Sequence, residues 1–157
     1  MDYAQLPITN QKTIPEEYID LMGHMNVMWY THLFDTATFN FFEMFGFGRE
    51  YHTQTGKGSF ALEQHLRYLA EVRQGESITI RTRALGRSAK RFHFMHFMLH
   101  DASGKLAATT ELVGSHVDMS LRRTSPLPED IAAGFDAILA EHTRIEWPAP
   151  VCGAMRP

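Results

Sequence analysis

Between Asn26 and Phe45 the apolar side chains return at three- and four-residue steps: Tyr30, Leu33, Phe34, Ala37, Phe41, Met44 and Phe45, with His32, Asp35, Thr36 and Glu43 off the stripe. That period predicts one long helix. Asn26 suits its N-cap, because its side-chain oxygen can take an orphan backbone amide. Gly46 and Gly48 mark its end. Trp29 and Phe39 widen the apolar stripe, so the helix is expected to be buried on most of its sides.

Outside that segment the pattern is that of strands. Ile8–Ile14 reads as a short strand stopped by Pro15, and Ser59–Val72 as a longer one broken at Gly75. Ser77–Leu85 alternates with period two, Gly86-Arg87-Ser88 signals a turn, and Lys90–His100 carries Phe and Met on both faces. After a second turn at Asp101-Ala102-Ser103-Gly104, Leu106–Met119 reads as a fourth long strand. Pro126-Leu127-Pro128-Glu129 opens a short helix to about His142, and the tail from Glu146, with three prolines, reads as irregular. One long helix followed by hairpin-linked strands implies an α+β fold, an antiparallel sheet that curls around the helix to bury its Phe and Met.

Composition narrows the class. At 157 residues, 44% hydrophobic and 21% charged, the chain is expected to be a single globular domain spanning 1–157. A net charge of -3 does not suggest a nucleic-acid partner. The only cysteine, Cys152, excludes a disulfide within the chain and fits a reducing, cytoplasmic setting. No apolar run reaches the ~20 residues of a membrane span, and MDYAQLPITN lacks the basic and apolar regions of a secretory signal.

The densest candidate chemistry is Asp20-Leu21-Met22-Gly23-His24-Met25-Asn26, just ahead of the helix. A helix start offers unpaired N–H groups and partial positive charge, which can stabilise an oxyanion. A carboxylate beside it can attack a carbonyl or activate water, and Gly23 lets a substrate approach the backbone. The residues alone favour a plainer account, in which Asp20 and Asn26 cap and turn the chain.

The pattern D-x-x-G-H-x-N, filled by Asp20, Gly23, His24 and Asn26, resembles the signature of the 4-hydroxybenzoyl-CoA thioesterase-like branch of the hotdog superfamily. Phe34-Asp35 resembles the Phe-acid pair that follows on that family's helix. Tyr68–Glu76 resembles its Tyr-containing segment, and Arg122–Pro128 its close. The resemblance implies a hotdog domain that hydrolyses an acyl-CoA thioester, with coenzyme A as part of the substrate and no metal or other cofactor. It implies Asp20 as nucleophile or general base, and the backbone N–H near Val27 as the group that polarises the thioester carbonyl. His24 would orient the loop or the substrate, or simply make a structural hydrogen bond. Glu16 and Glu17 lie outside the motif. A homodimer or homotetramer with the active site shared between subunits is also implied. A non-catalytic acyl-CoA binding module and a hotdog hydratase or dehydratase are the alternatives.

Further candidates are weaker. Arg87, Lys90 and Arg91 at a hairpin turn either bind the phosphates of CoA or form a solvated turn. Glu63 and His65 share a strand face. Glu63 either pairs with an Arg or, with Trp29 or Tyr30, lines an acyl pocket whose anion and aromatic faces suit a quaternary ammonium group; the chain looks similar to relatives of carnitine metabolism that hydrolyse betainyl-CoA. His93 points away from His96 and His100, which lie about 13 Å apart at ~3.3 Å per residue, so these histidines do not make a metal site.

Overall fold

Asn26 starts the long helix through its side chain: Oδ1 accepts the Met28 N–H at 3.0 Å, and α1 runs Val27–Glu43. The computed structural model describes residues 1–157. Around α1 lie β1 (Ile8–Thr13), β2 (Lys57–Tyr68), β3 (Ser77–Arg87), β4 (Arg91–His100), β5 (Leu106–Asp118) and the two-residue β6 (Arg123–Thr124). All pairings are antiparallel, in the order β1-β3-β4-β5-β2 with β6 beside β5. The hairpins β3–β4 and β4–β5 form the centre, and the two strands that flank α1 in sequence close the edges. This is the expected hotdog arrangement, with one helix in the concavity of a curled sheet.

The boundaries differ from the sequence reading for local reasons. β2 ends at Tyr68, not Val72, because the Leu69 and Ala70 amides both turn onto Ala107 O (2.8 and 3.0 Å). Val72 O is then free to accept the Met25 N–H at 2.7 Å, which ties the strand exit to the loop ahead of α1. A bulge between Ala84 and Gly86 carries β3 on through Arg87, so the turn starts at Ser88. A helix with no counterpart in the apolar pattern, α2 (Arg49–Thr55), sits between α1 and β2. It buries none of its residues, so it leaves no period to read; the Glu43 carboxylate accepts its Arg49 N–H at 2.8 Å, and Gly56, at φ +63°, ends it. The C-terminal helix α3 (Glu129–His142) matches the expectation.

Three apolar clusters fill the interior. One packs Tyr30, Leu33 and Phe34 of α1 against Ile78, Ile80, Met98 and Ala108 of the sheet. The second joins Phe41, Phe42 and Phe45 to Phe92, Phe94 and, from α3, Phe135. The third lies on the outer face of the sheet, where Leu6, Met95 and Phe97 meet Ile145 and Trp147 of the tail. The expectation that α1 is buried on most of its sides does not hold within this chain. Val27, Met28 and Phe39 remain 56, 59 and 51% exposed. A sheet of this width wraps only one side of a rod, and the outward stripe is left for another surface. No helix is long and apolar enough to cross a membrane.

Candidate active site

The loop before α1 is built from its own backbone. Ile19 and Met25 form a bridge, the Asp20 N–H donates to His24 O (3.1 Å), and the Gly23 N–H donates to Asp20 O (3.0 Å). The tight turn requires Gly23 at φ +80°, a conformation that side chains other than glycine seldom adopt. Asp20 accepts the Met22 N–H at Oδ1 (2.9 Å) and the Asn26 side-chain N–H at Oδ2 (3.3 Å). Asn26 thus grips the carboxylate with its amino end while its oxygen caps α1. The Val27 N–H has no acceptor within the chain, and it lies at the first turn, where the helix dipole adds positive character. His24 Nδ1 lies 4.0 Å from Asp20 Oδ1 and 3.3 Å from Met25 O. The Asp20 side chain is 27% exposed, so both solvent and a substrate can reach it.

Two clefts flank α1. The shallower, about 410 Å³, opens beside the loop between His24, Val27 and Tyr30 on one side and Tyr68 and Leu69 on the other. The deeper, about 310 Å³, lies between residues 31–42 of α1 and β2. Phe34, Phe39, Phe42, Phe60 and Phe94 line it, and Asp35 is its only carboxylate; Thr31, Thr38, Ser59 and Gln64 add polar groups. Neither cleft is lined by Asp20.

The motif residues Asp20, Gly23, His24, Asn26 and Val27 are therefore brought together, with Tyr30 one turn on. The others are dispersed. Trp29 stacks on Tyr18 at 3.8 Å, outside both clefts. Glu63 and His65 do not join Trp29 or Tyr30 in a pocket. A bulge between Ala61 and Glu63 sets the strand parity so that Gln64 lines the deeper cleft and Leu66 packs on the core. Glu63 and His65 consequently face away from α1, with His65 opposite Glu111 of β5. That bulge is invisible in the sequence. The deeper cleft was missed for the same reason, although the helical period does place Asp35 and Phe39 side by side on the turn.

Arg87, Lys90 and Arg91 sit at the far end of the molecule. Arg87 grips Asp136 of α3 through Nε (2.6 Å) and Nη2 (2.5 Å), a pairing that raises its already high pKa. Lys90 and Arg91 are exposed. Because α3 packs on the C-terminal end of α1, a helix of 17 residues separates this cluster from Asp20, about 25 Å at 1.5 Å per residue.

Of the clustered histidines, His93 pairs with Glu111, His96 is fully buried, and His100 approaches Glu76 at 3.6 Å. His96 bonds Thr38 Oγ1 (2.9 Å) and Thr82 Oγ1 (2.6 Å) and stacks on Phe34, with no charge nearby, and burial pushes its pKa down to about 3. Burial, with Arg83 adding repulsion, pushes His142 down to about 4. Both rings are neutral in the fold, whereas an unfolded histidine titrates near 6.5. Below that pH the unfolded chain takes up protons that the fold refuses, so stability falls as pH falls, from about 6.5 toward 4. Urea unfolding at pH 6.5 and 5.0 is expected to differ by about 3 kcal/mol from these two residues together. A flat profile across that interval contradicts their burial as neutral rings.

Comparison with known proteins places this geometry in a family. Residues 14–135 match the model of the thioesterase-like superfamily. A betainyl-CoA thioesterase from Pseudomonas aeruginosa is 28% identical over 94% of this chain and 93% of its own length. An L-carnitine dehydrogenase/betainyl-CoA thioesterase from Agrobacterium fabrum is 32% identical over 85% of this chain, which spans only 26% of that longer protein. Among solved structures, a Staphylococcus aureus protein in complex with CoA superposes with a TM-score of 0.83, at 24% identity and over 91% of this chain and 90% of the other. A DHNA-CoA thioesterase from the same organism gives 0.76, at 16% identity and over 83% of this chain and 89% of the other. These two likenesses bear on the fold.

Proposed function

We propose, on the premise that this chain belongs to the thioesterase-like superfamily, that its acyl-CoA thioesterase reaction is carried out by Asp20 and the start of α1. The observation that carries the reading is the link from Asp20 through Asn26 to the amino end of α1, with an unsatisfied Val27 N–H. A thioester carbonyl docked on that N–H presents its carbon to the carboxylate. Charge that develops on the carbonyl oxygen meets an amide and the positive end of the helix dipole. Asp20 acts there either as nucleophile, through an anhydride that water then opens, or as general base toward water. Either way the products are the free acid and CoA.

The site is completed by a second copy of the chain. Leu21, Met22, Val27, Met28 and Leu69 stand exposed around Asp20. The aromatic cleft starts about one turn past Val27 and runs along α1 to Phe42, and the basic turn that a substrate needs lies at the far end of the same helix. Two chains packed with α1 antiparallel would bring one subunit's cleft and Lys90–Arg91 turn toward the other's Asp20.

The acyl group that best suits the deeper cleft is small and carries a quaternary ammonium. Five Phe side chains line it, a setting in which aromatic rings can attract a cation, and Asp35 supplies the opposite charge. The name of the P. aeruginosa relative supports betainyl-CoA in particular. A neutral isostere, 3,3-dimethylbutyryl-CoA, replaces the ammonium nitrogen by carbon and keeps the shape. With free-thiol release as the readout, kcat/KM for betainyl-CoA is expected to exceed that for the isostere at least about tenfold, and Asp35→Asn to narrow the gap. Equal or faster turnover of the isostere defeats the cationic substrate and leaves thioester hydrolysis standing. Tight binding of every ester with no thiol released points instead to a binding module.

A further inference from the structure

The outer face of the sheet carries a polar cluster that the proposed reaction does not use. Glu111 of β5 has a fully buried side chain, and His65 of β2 lies directly opposite it in the strand register. Cys152, from the tail that crosses this face, donates its backbone N–H to Glu111 Oε2 at 2.7 Å. The Cys152 sulfur, a ring nitrogen of His65 and a Glu111 oxygen all lie within 4.8 Å of one another. Behind them, His93 of β4 holds Glu111 Oε1 through Nε2 at 2.8 Å.

We propose that His65, Glu111 and Cys152 bind one divalent transition-metal ion of the zinc type, which clamps the C-terminal tail to the sheet. One nitrogen, one oxygen and one sulfur donor are a set that zinc accepts, at about 2.0–2.3 Å per bond. Donors around a tetrahedral ion of that size lie about 3.5 Å apart, so the three must draw in by roughly 1 Å. Neither Cys152 nor His65 is buried, and rotation of these two side chains supplies the movement. The rigid member is Glu111, and His93 orients its carboxylate as an outer-shell histidine orients a metal ligand. Three protein ligands leave a fourth position for water.

Charge favours an ion at this place. A carboxylate fixed between strands and covered by the tail is costly unless something offsets it. The Cys152 amide at Oε2 and the His93 ring at Oε1 fix the Glu111 carboxylate in place. On binding, the Cys152 thiol would release its proton to solvent, so that a divalent cation meets one carboxylate and one thiolate. The tail is anchored on either side of the site, by Ile145 and Trp147 before it and by buried Met155 after it. The sequence offered no metal-binding spacing because the ligands come from three distant segments.

Metal-free protein comprising residues 1–157 is titrated with Zn²⁺ alone, and bound metal is measured after equilibrium dialysis. One ion per chain is expected, with a rise in thermal midpoint that follows Zn²⁺ concentration. Co²⁺ in place of Zn²⁺ is expected to give a thiolate-to-cobalt charge-transfer band that Cys152→Ser abolishes. Cys152→Ser and His65→Ala should each weaken Zn²⁺ binding at least about 100-fold. Thioester hydrolysis by Cys152→Ser should match the parent protein, so the result reads independently of the Asp20 reaction. No retained ion at micromolar Zn²⁺ overturns the site. So does binding that survives both substitutions, because it then resides on other histidines.

Discussion

Asp20→Asn is expected to lower kcat for thioester hydrolysis about 10³-fold, within the span of 10²–10⁴ that a positioned acid–base group contributes, with KM little changed. The substitution keeps the size and planarity of the side chain. Its amide oxygen can still accept the Met22 N–H, which now holds Oδ1 at 2.9 Å. The bond from Asn26 to Oδ2 is lost, because two amide N–H groups then face each other; an exchange of that kind costs about 1 kcal/mol of stability. The fold survives, while a carboxamide can neither form an anhydride nor take a proton from water. KM should hold because, in the proposed reaction, the carboxylate acts on the reacting carbon and not on the CoA or acyl ends. Steady-state thiol release, with a thermal melt of the same sample, measures both quantities. Turnover within threefold of the parent removes Asp20 from the reaction and returns it to the turn-forming role that its hydrogen bonds equally allow.

The largest stability effect is expected at Phe92. Its ring is fully buried and lies 5.5 Å from Phe42, 5.6 Å from Phe45, 5.3 Å from Phe47 and 5.2 Å from Phe135. It thus ties α1, the segment after it, and α3 to the sheet. Phe92→Ala should cost about 3–5 kcal/mol, since rings held on several sides cannot collapse into the space left. For a chain of this size that amounts to a fall in thermal midpoint on the order of 10 °C. Phe92→Leu fills most of the volume and should cost about 1.5 kcal/mol or less. Urea unfolding of both variants is the check. A cost below about 1 kcal/mol for Phe92→Ala contradicts the packing described.

What could be read from the sequence follows from how local each signal is. The three- and four-residue steps from Tyr30 to Phe45 sit within one element, and they identified α1 and its Asn26 cap. Asp20, Gly23, His24 and Asn26 are neighbours in the chain, so their convergence needed no knowledge of the fold. Strand faces were less legible. The bulge between Ala61 and Glu63 reverses the parity of β2, which sends Gln64 to the cleft and Glu63 and His65 outward. The basic turn was identifiable as a turn, yet its distance from Asp20 depends on which end of α1 α3 covers. Arg87 reads in the sequence as one of three cations at that turn, yet Asp136, 49 residues away, holds it. The exposed side of α1 was not legible, because an apolar stripe looks the same whether the chain's own sheet or a second chain covers it.

The most direct test of the central claim is a crystal structure of Asp20→Asn with an unreacted acyl-CoA bound. The thioester carbonyl oxygen is expected about 2.7–3.1 Å from the Val27 nitrogen, with the residue 20 side chain facing the carbonyl carbon. The acyl group is expected among the Phe rings of a second copy of the chain. A thioester bound away from the start of α1, with residue 20 turned to solvent, contradicts a reaction at Asp20.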